Sequence, residues 1–158
     1  MNKRLPLAVC AFGLLLVSAC SQKPATTEAE HTTAKASGPA HIMTAQNPLG
    51  TILTDDHGRA LYLFVADTGT TSTCDGPCAT KWPPLTTAGA PVAGAGVNAA
   101  LLSTTPRADG TTQLIYNGHP LYYYDDDESP GTTKGQGENS YGANWYVLTP
   151  AGVKIDKD

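Results

Sequence analysis

Long apolar runs, basic side chains, cysteine and helical periodicity are all in short supply in this sequence, and each shortage narrows what the chain can be. The longest apolar run, residues 5–19 with Pro6 near its front, falls short of the roughly 20 residues that a membrane-spanning helix needs. Lys and Arg number 10 against 14 Asp and Glu, a balance that argues against nucleic acid or an anionic bilayer surface as a partner. Beyond residue 19 no ten-residue stretch repeats apolar side chains at helical spacing, which points to an all-β fold. No Ser/His/Asp context, zinc-ligand spacing or phosphate-cradling loop is present. Gly135-Gln136-Gly137 lacks both the strand-to-helix setting and the lysine of such a loop. No catalytic residue, metal ligand or cofactor is therefore expected.

What is present begins with an export signal. Met1-Asn2-Lys3-Arg4 is cationic, residues 5–19 are apolar, and Ser18 and Ala19 are small, the layout of a secretory signal peptide. Val17-Ser18-Ala19-Cys20 resembles the lipobox of bacterial lipoproteins. That resemblance implies cleavage before Cys20, diacylglycerol on its sulfur and a palmitate-type chain on the new amino terminus. Two or more acyl chains make the lipid bilayer a firm partner where one chain would bind only marginally. Loss of residues 1–19 removes Lys3 and Arg4, leaving 10 − 2 = 8 basic residues against 14 acidic ones, a net charge of −6. The expected location is the cell envelope, lipid-anchored, and Ser21 after the acylated cysteine is compatible with outer-membrane sorting in a Gram-negative host.

Residues 21–46 hold Thr, Ala, Lys, Glu, Pro and Gly with hardly a large apolar side chain, too little to offset the entropy of ordering. Residues 20–46 are thus expected to form the acylated cysteine and a disordered tether, about 28 Å long on average by random-coil scaling. His31 and His41 fall there and are not expected to bind metal. Residues 47–158 then form one β-rich domain.

That domain is built on a duplication. Leu61-Tyr62-Leu63-Phe64-Val65-Ala66-Asp67 returns sixty residues later as Leu121-Tyr122-Tyr123-Tyr124-Asp125-Asp126-Asp127, and Trp82 and Leu85 return as Trp145 and Leu148. Self-similarity at a fixed period means two copies of one unit, each needing the other to hide its apolar side. The copies span about 49–86 and 109–150. Strands are expected over 51–54, 59–65, 101–105, 111–116, 119–124, 145–149 and 153–155, with a loop or irregular crossover over 86–100. Asn117-Gly118 between apolar runs predicts a type I′ hairpin. Alternation places Leu61, Leu63 and Val65 on one face and Tyr62, Phe64 and Ala66 on the other. In the second copy it sets Leu121 and Tyr123 against Tyr122 and Tyr124.

The paired Tyr-x-aromatic-x-x-Asp motifs, the lipobox, Trp82-Pro83-Pro84-Leu85, Asn117-Gly118-x-Pro120-Leu121-Tyr122 and Gly135-Gln136-Gly137 before Trp145-Tyr146 together resemble the secreted-repeat family of bacterial lipoproteins. The resemblance covers residues 48–155 and implies little biochemistry, because that family's function is largely undefined. One departure is that the second copy has no cysteine pair.

Two readings of the motif stand. Tyr62, Phe64, Tyr122 and Tyr124 supply core rings, with Asp67 and Asp127 accepting hydrogen bonds from a turn amide or a hydroxyl. Alternatively Tyr62, Tyr122 and Tyr124 line a groove for a small ligand. Cys74-Asp75-Gly76-Pro77-Cys78 also has two. Asp-Gly-Pro is turn chemistry that brings the cysteines within disulfide range. A reduced pair would instead offer two soft thiolates to copper, given a further His or Met ligand. Asp125-Asp126-Asp127-Glu128 has contiguous acids and Pro130 at the sixth place, a solvated loop and not a calcium loop. The function expected is a non-enzymatic binding or envelope-associated module, its partner a small ligand or an envelope protein. The rival is a periplasmic copper or thiol-redox protein working through Cys74 and Cys78.

Overall fold

The computed structural model describes residues 36–156. The expected signal peptide 1–19, the expected acylation site Cys20, His31 and most of the expected tether lie outside the described residues. Among those described, no helix is long and apolar enough to cross a membrane.

The first strand corrects the expected boundary of the fold. Strand β1, His41–Asn47, begins inside the stretch assigned to the tether and pairs antiparallel with β2, Gly50–Asp55, from Ile42↔Asp55 to Asn47↔Gly50. Composition misjudged it because β1 carries one large, fully buried apolar side chain, Ile42. The rest of its stability is main-chain pairing, closed by an Asn47 side chain that accepts from Leu49 N at 2.8 Å.

Past a turn, β3 is short, Tyr62–Phe64. The Cys-Asp-Gly-Pro-Cys turn runs into a single helical turn, α1, Pro77–Lys81, begun by proline at its first position. The expected crossover carries β4, Val92–Ala93, parallel to β1, and a 3₁₀ turn, Ala99–Leu101. The second half repeats the hairpin as β5, Leu102–Pro106, and β6, Thr112–Tyr116. Asn117 and Gly118, at φ 48° and 83°, turn β6 into β7, His119–Pro120, as a type I′ hairpin requires. Strands β8, Asn139–Ser140, and β9, Ala143–Val147, complete an all-β architecture of three small sheets, β2-β1-β4, β3-β9-β8 and β5-β6-β7. The expected last strand over 153–155 reduces to one bridge, Leu148↔Lys154.

The halves exchange strands. β9 of the second half pairs with β3 of the first, Tyr62↔Val147 to Phe64↔Trp145. Leu53 N donates to Leu148 O, while in mirror fashion Leu114 N donates to Leu85 O, both at 2.9 Å. On the local pseudo-axis Tyr62 and Tyr122 bond each other's backbones, N to O, at 2.9 and 3.0 Å. The sheet β3-β9-β8 therefore exists only with both copies present.

Strand alternation sorts the core into two clusters. Leu61, Leu63 and Leu121 enter an aliphatic one with Leu53, Leu85, Leu114 and Leu148. Tyr62, Phe64 and Tyr122 enter an aromatic one with Trp82 and Trp145. β3 is covered on both faces, so all its side chains are buried. Val65 departs from the expected face because the strand ends at Phe64, where Asp67 N donates to Phe64 O at 3.1 Å, and Val65 is 46% exposed.

Candidate functional site

The motif residues converge on the interface between the halves, where their spacing acquires a physical reason. Tyr62 OH donates to Asp127 Oδ2 and Tyr122 OH donates to Asp67 Oδ2, both at 2.6 Å. Each tyrosine is thus tied to the aspartate of the other copy. The second carboxylate oxygen fastens the following loop: Asp67 Oδ1 accepts from Thr73 N and Thr73 Oγ1 at 2.7 Å, and Asp127 Oδ1 accepts from Lys134 N at 2.8 Å. Each aspartate thus accepts from a loop amide and from a tyrosine hydroxyl, the hydroxyl contributed across the duplication.

The aromatic two residues after each tyrosine also reaches the other copy. Phe64 stacks on Trp145 at 4.0 Å between ring centroids, and Tyr124 lies on Trp82 at 4.3 Å. Trp82 and Trp145 stack on each other at 3.9 Å, 3° from parallel. Phe64, Trp145, Trp82 and Tyr124 therefore form one continuous pile of rings through the domain, with Tyr62 edge-on to Trp82 and Tyr122 edge-on to Trp145. Gly135 of the Gly-Gln-Gly motif is required by this pile, since a Cβ there would lie 2.6 Å from the Trp82 ring. Gln136 ties the layers above it, donating to Ile155 O and accepting from Val147 N.

The alternative reading, a ligand groove lined by Tyr62, Tyr122 and Tyr124, meets no such groove among the described residues. Tyr62 and Tyr122 are wholly buried with their hydroxyls engaged, and Tyr124 is half-buried with the Lys81 ammonium 4.9 Å from its ring. Burial, reinforced by the carboxylate each one faces, pushes the Tyr62 and Tyr122 phenols far above their ordinary range.

Cys74 and Cys78 form a disulfide across α1's first turn, Cα to Cα 5.2 Å, both buried beside Trp82. The loop it closes is held to the second half by Arg107, which the sequence reading did not single out. The side chain of Arg107 is 4% exposed. It donates to Ser72 Oγ and Gln113 Oε1 at 2.8 Å, and to Cys74 O and Asp75 Oδ1 at 2.9 Å. Ser72 Oγ in turn lies 2.7 Å from Tyr122 OH. The only signal available was an arginine in the turn before a strand, which ordinarily marks a solvated position.

The remaining polar clusters serve turns. Asp55 is buried and accepts from His57 N, Arg59 N, Arg59 Nε and Tyr123 OH, so its carboxylate fixes the β2–β3 turn. Asp55, Asp56 and His57 lie close enough together to share a cation, but these bonds already use the one buried carboxylate. Of the acidic run, Asp125, Asp126 and Glu128 are exposed and only Asp127 turns inward.

The aspartate links give a graded prediction. Asp67→Ala leaves Thr73 N and Thr73 Oγ1 without their acceptor and the buried Tyr122 hydroxyl with Ser72 Oγ alone, and should cost about 2–3 kcal/mol, whereas Tyr122→Phe should cost about 1 kcal/mol. A urea-unfolding cycle on the two should give a coupling of at least ~0.5 kcal/mol. Additivity would show that the pair does not interact.

One family matches the chain, described as a secreted repeat of unknown function, over residues 43–86 and 103–149. These segments bracket both motifs and both tryptophans. No curated protein and no solved structure matches.

Proposed function

Since the chain belongs to the family of secreted repeats of unknown function, we propose that it is a lipid-anchored, non-enzymatic module of the cell envelope that presents a rigid β-surface to another envelope component. A secreted repeat lies outside the cytoplasm, where a disulfide such as Cys74–Cys78 persists. The lipobox ending at Cys20 supports anchoring there. The observation that carries the non-enzymatic part is the commitment of the motif's polar groups. Both tyrosine hydroxyls and both aspartates are bonded to one another or to loop amides. A catalytic acid, base or nucleophile needs reach to a substrate; Tyr62, Tyr122 and Asp67 are buried in the interface, and the half-buried Asp127 is engaged by Tyr62 OH and Lys134 N.

The test uses the full chain expressed in a lipoprotein-processing bacterium. Wild-type protein should incorporate labelled palmitate and partition into detergent, and Cys20→Ser should do neither and appear in the aqueous phase. Equal partitioning of the two would end the anchoring reading. Thiol titration of the purified chain should find Cys74 and Cys78 unreactive and a Cu(I) competition assay should find no bound metal. Copper binding that disappears in Cys74→Ser/Cys78→Ser while the fold survives would replace the binding module with the copper or redox protein.

A further inference from the structure

The duplication offers an internal template for a partner site. Strand β1 in the first half corresponds to β5 in the second: Ile42 matches Leu102, and Thr44, paired with Leu53, matches Thr104, paired with Leu114. In the first half the outer edge of β1 is covered. The segment Pro91-Val92-Ala93-Gly94 lies along it in parallel, Val92 N donating to Ala40 O at 2.9 Å and Gly94 N to Ile42 O at 2.8 Å. Farther along, Thr44 Oγ1 bonds Ala95 O.

In the second half the chain turns at Pro150, Ala151 and Gly152, and Ile155 N returns to Val147 O. No described strand takes the place of β4 on β5. The hydrogen-bond phase shows which groups this leaves open. Asn117 N donates to Leu101 O and Arg107 N to Thr111 O, so the backbones of Leu102 and Thr104 face away from β6. Leu102 N is used by Ala99 O. Leu102 O, Thr104 N and Thr104 O have no partner among the described residues.

The edge also lacks the devices that normally protect one. Leu-Ser-Thr-Thr-Pro has no charged side chain and no bulge, and its proline stands only at the far end. Beside it runs a hollow of about 450 Å³ whose walls include Pro91, Ala93, Leu102, Ser103 and Thr104, uncharged and mostly small, in a chain otherwise carrying net negative charge.

We propose that the outer edge of β5 receives an extended, uncharged, small-residue segment of another protein, added as a parallel strand through Leu102 O, Thr104 N and Thr104 O. This β-augmentation names the partner surface of the binding module and rests on that reading. What β4 does for β1 shows the chemistry of the occupant: main-chain pairing by a segment whose side chains are no larger than valine. The walls of the hollow carry no charge with which a charged segment could pair.

The test is a titration of the full purified chain with the capped peptide Ala-Pro-Val-Ala-Gly-Ala-Gly-Val, the sequence of residues 90–97, followed by amide NMR. Saturable shifts at Leu102, Ser103, Thr104 and Thr105, with a Kd on the order of 1 mM, are expected for so few bonds. Thr104→Pro, which deletes the outward donor, should weaken binding at least ~10-fold. Because that variant risks distorting β5, the same peptide N-methylated at its first glycine is titrated into unaltered protein and should also fail to bind. No binding, equal binding of the methylated peptide, or shifts confined to β1 and β4 would overturn the proposal. So would concentration-dependent shifts at β5 without peptide, which would make a second copy the occupant. None of these outcomes alters acylation at Cys20, so failure here is separable from failure of the anchoring reading.

Discussion

Trp145→Ala is expected to abolish cooperative folding or to lower the melting temperature by at least ~10 °C. Trp145 is fully buried, lies between Phe64 at 4.0 Å and Trp82 at 3.9 Å, and takes the edge of Tyr122 at 5.1 Å. Its strand also pairs with β3, so the indole fills the seam between the two halves. Removing such a side chain costs about 3–5 kcal/mol in transfer and cavity terms, and total stability for a domain of this size is only about 5–15 kcal/mol. Trp82→Ala should cost a similar amount, since Trp82 holds the equivalent place in the first copy. The two losses should not add, because the rings touch and either truncation already breaks the pile. Val153→Thr, at a 56% exposed position, serves as the control and should stay within about 0.5 kcal/mol of wild type. Calorimetry on the full chain checks all three. A Trp145→Ala variant that melts within a few degrees of wild type would mean that the aromatic seam is not what joins the repeats.

The residues involved also show which parts of this architecture can be read from the sequence. Leu61 to Phe64 alternate between the aliphatic and aromatic clusters as a period of two dictates, and Asn117-Gly118 turns as its left-handed tolerance dictates. These are local rules, and they act within a few residues. The pairing of Tyr62 with Asp127 and of Tyr122 with Asp67 spans 65 and 55 residues, beyond the reach of any local rule. The sequence places a tyrosine and an aspartate five apart in each copy. Both partnerships, within a copy or across copies, satisfy that spacing, and only the strand exchange selects the second. Arg107 stayed hidden for a related reason: its partners Ser72, Cys74 and Asp75 come from the other half. β1 was misjudged because its anchor is a partner strand and not its own composition. The empty edge of β5 became visible only once the two halves could be superposed strand for strand.

Stability should also collapse in alkali, and the sign follows from the buried phenols. In the unfolded chain a tyrosine loses its proton near pH ~10. Tyr62 and Tyr122 in the folded protein lose theirs far higher, because burial opposes the phenolate and each faces a carboxylate. A group whose folded pKa is raised contributes its stability in full below the unfolded value and loses it as pH climbs past that value. Below about pH 10 both states hold the proton and these two residues impose no slope. Above it the unfolded chain releases protons that the native state keeps, and stability falls by about 1.4 kcal/mol per pH unit for each phenol, about 3 for the two together. Tyr123, shifted upward by burial and the neighbouring Asp55 charge, steepens the fall. Urea midpoints should therefore be flat from about pH 8 to 10, and the protein should unfold without denaturant between about pH 11 and 12. Phenolate absorbance from the buried Tyr62 and Tyr122 should rise together with unfolding. Tyr62→Phe/Tyr122→Phe, though less stable at neutral pH, should lose stability above pH ~10 with a visibly shallower slope. A double variant whose alkaline slope matches wild type would show that these hydroxyls are open to solvent, and with that the exchange of hydrogen bonds between the repeats would fail as the account of why the motif is doubled.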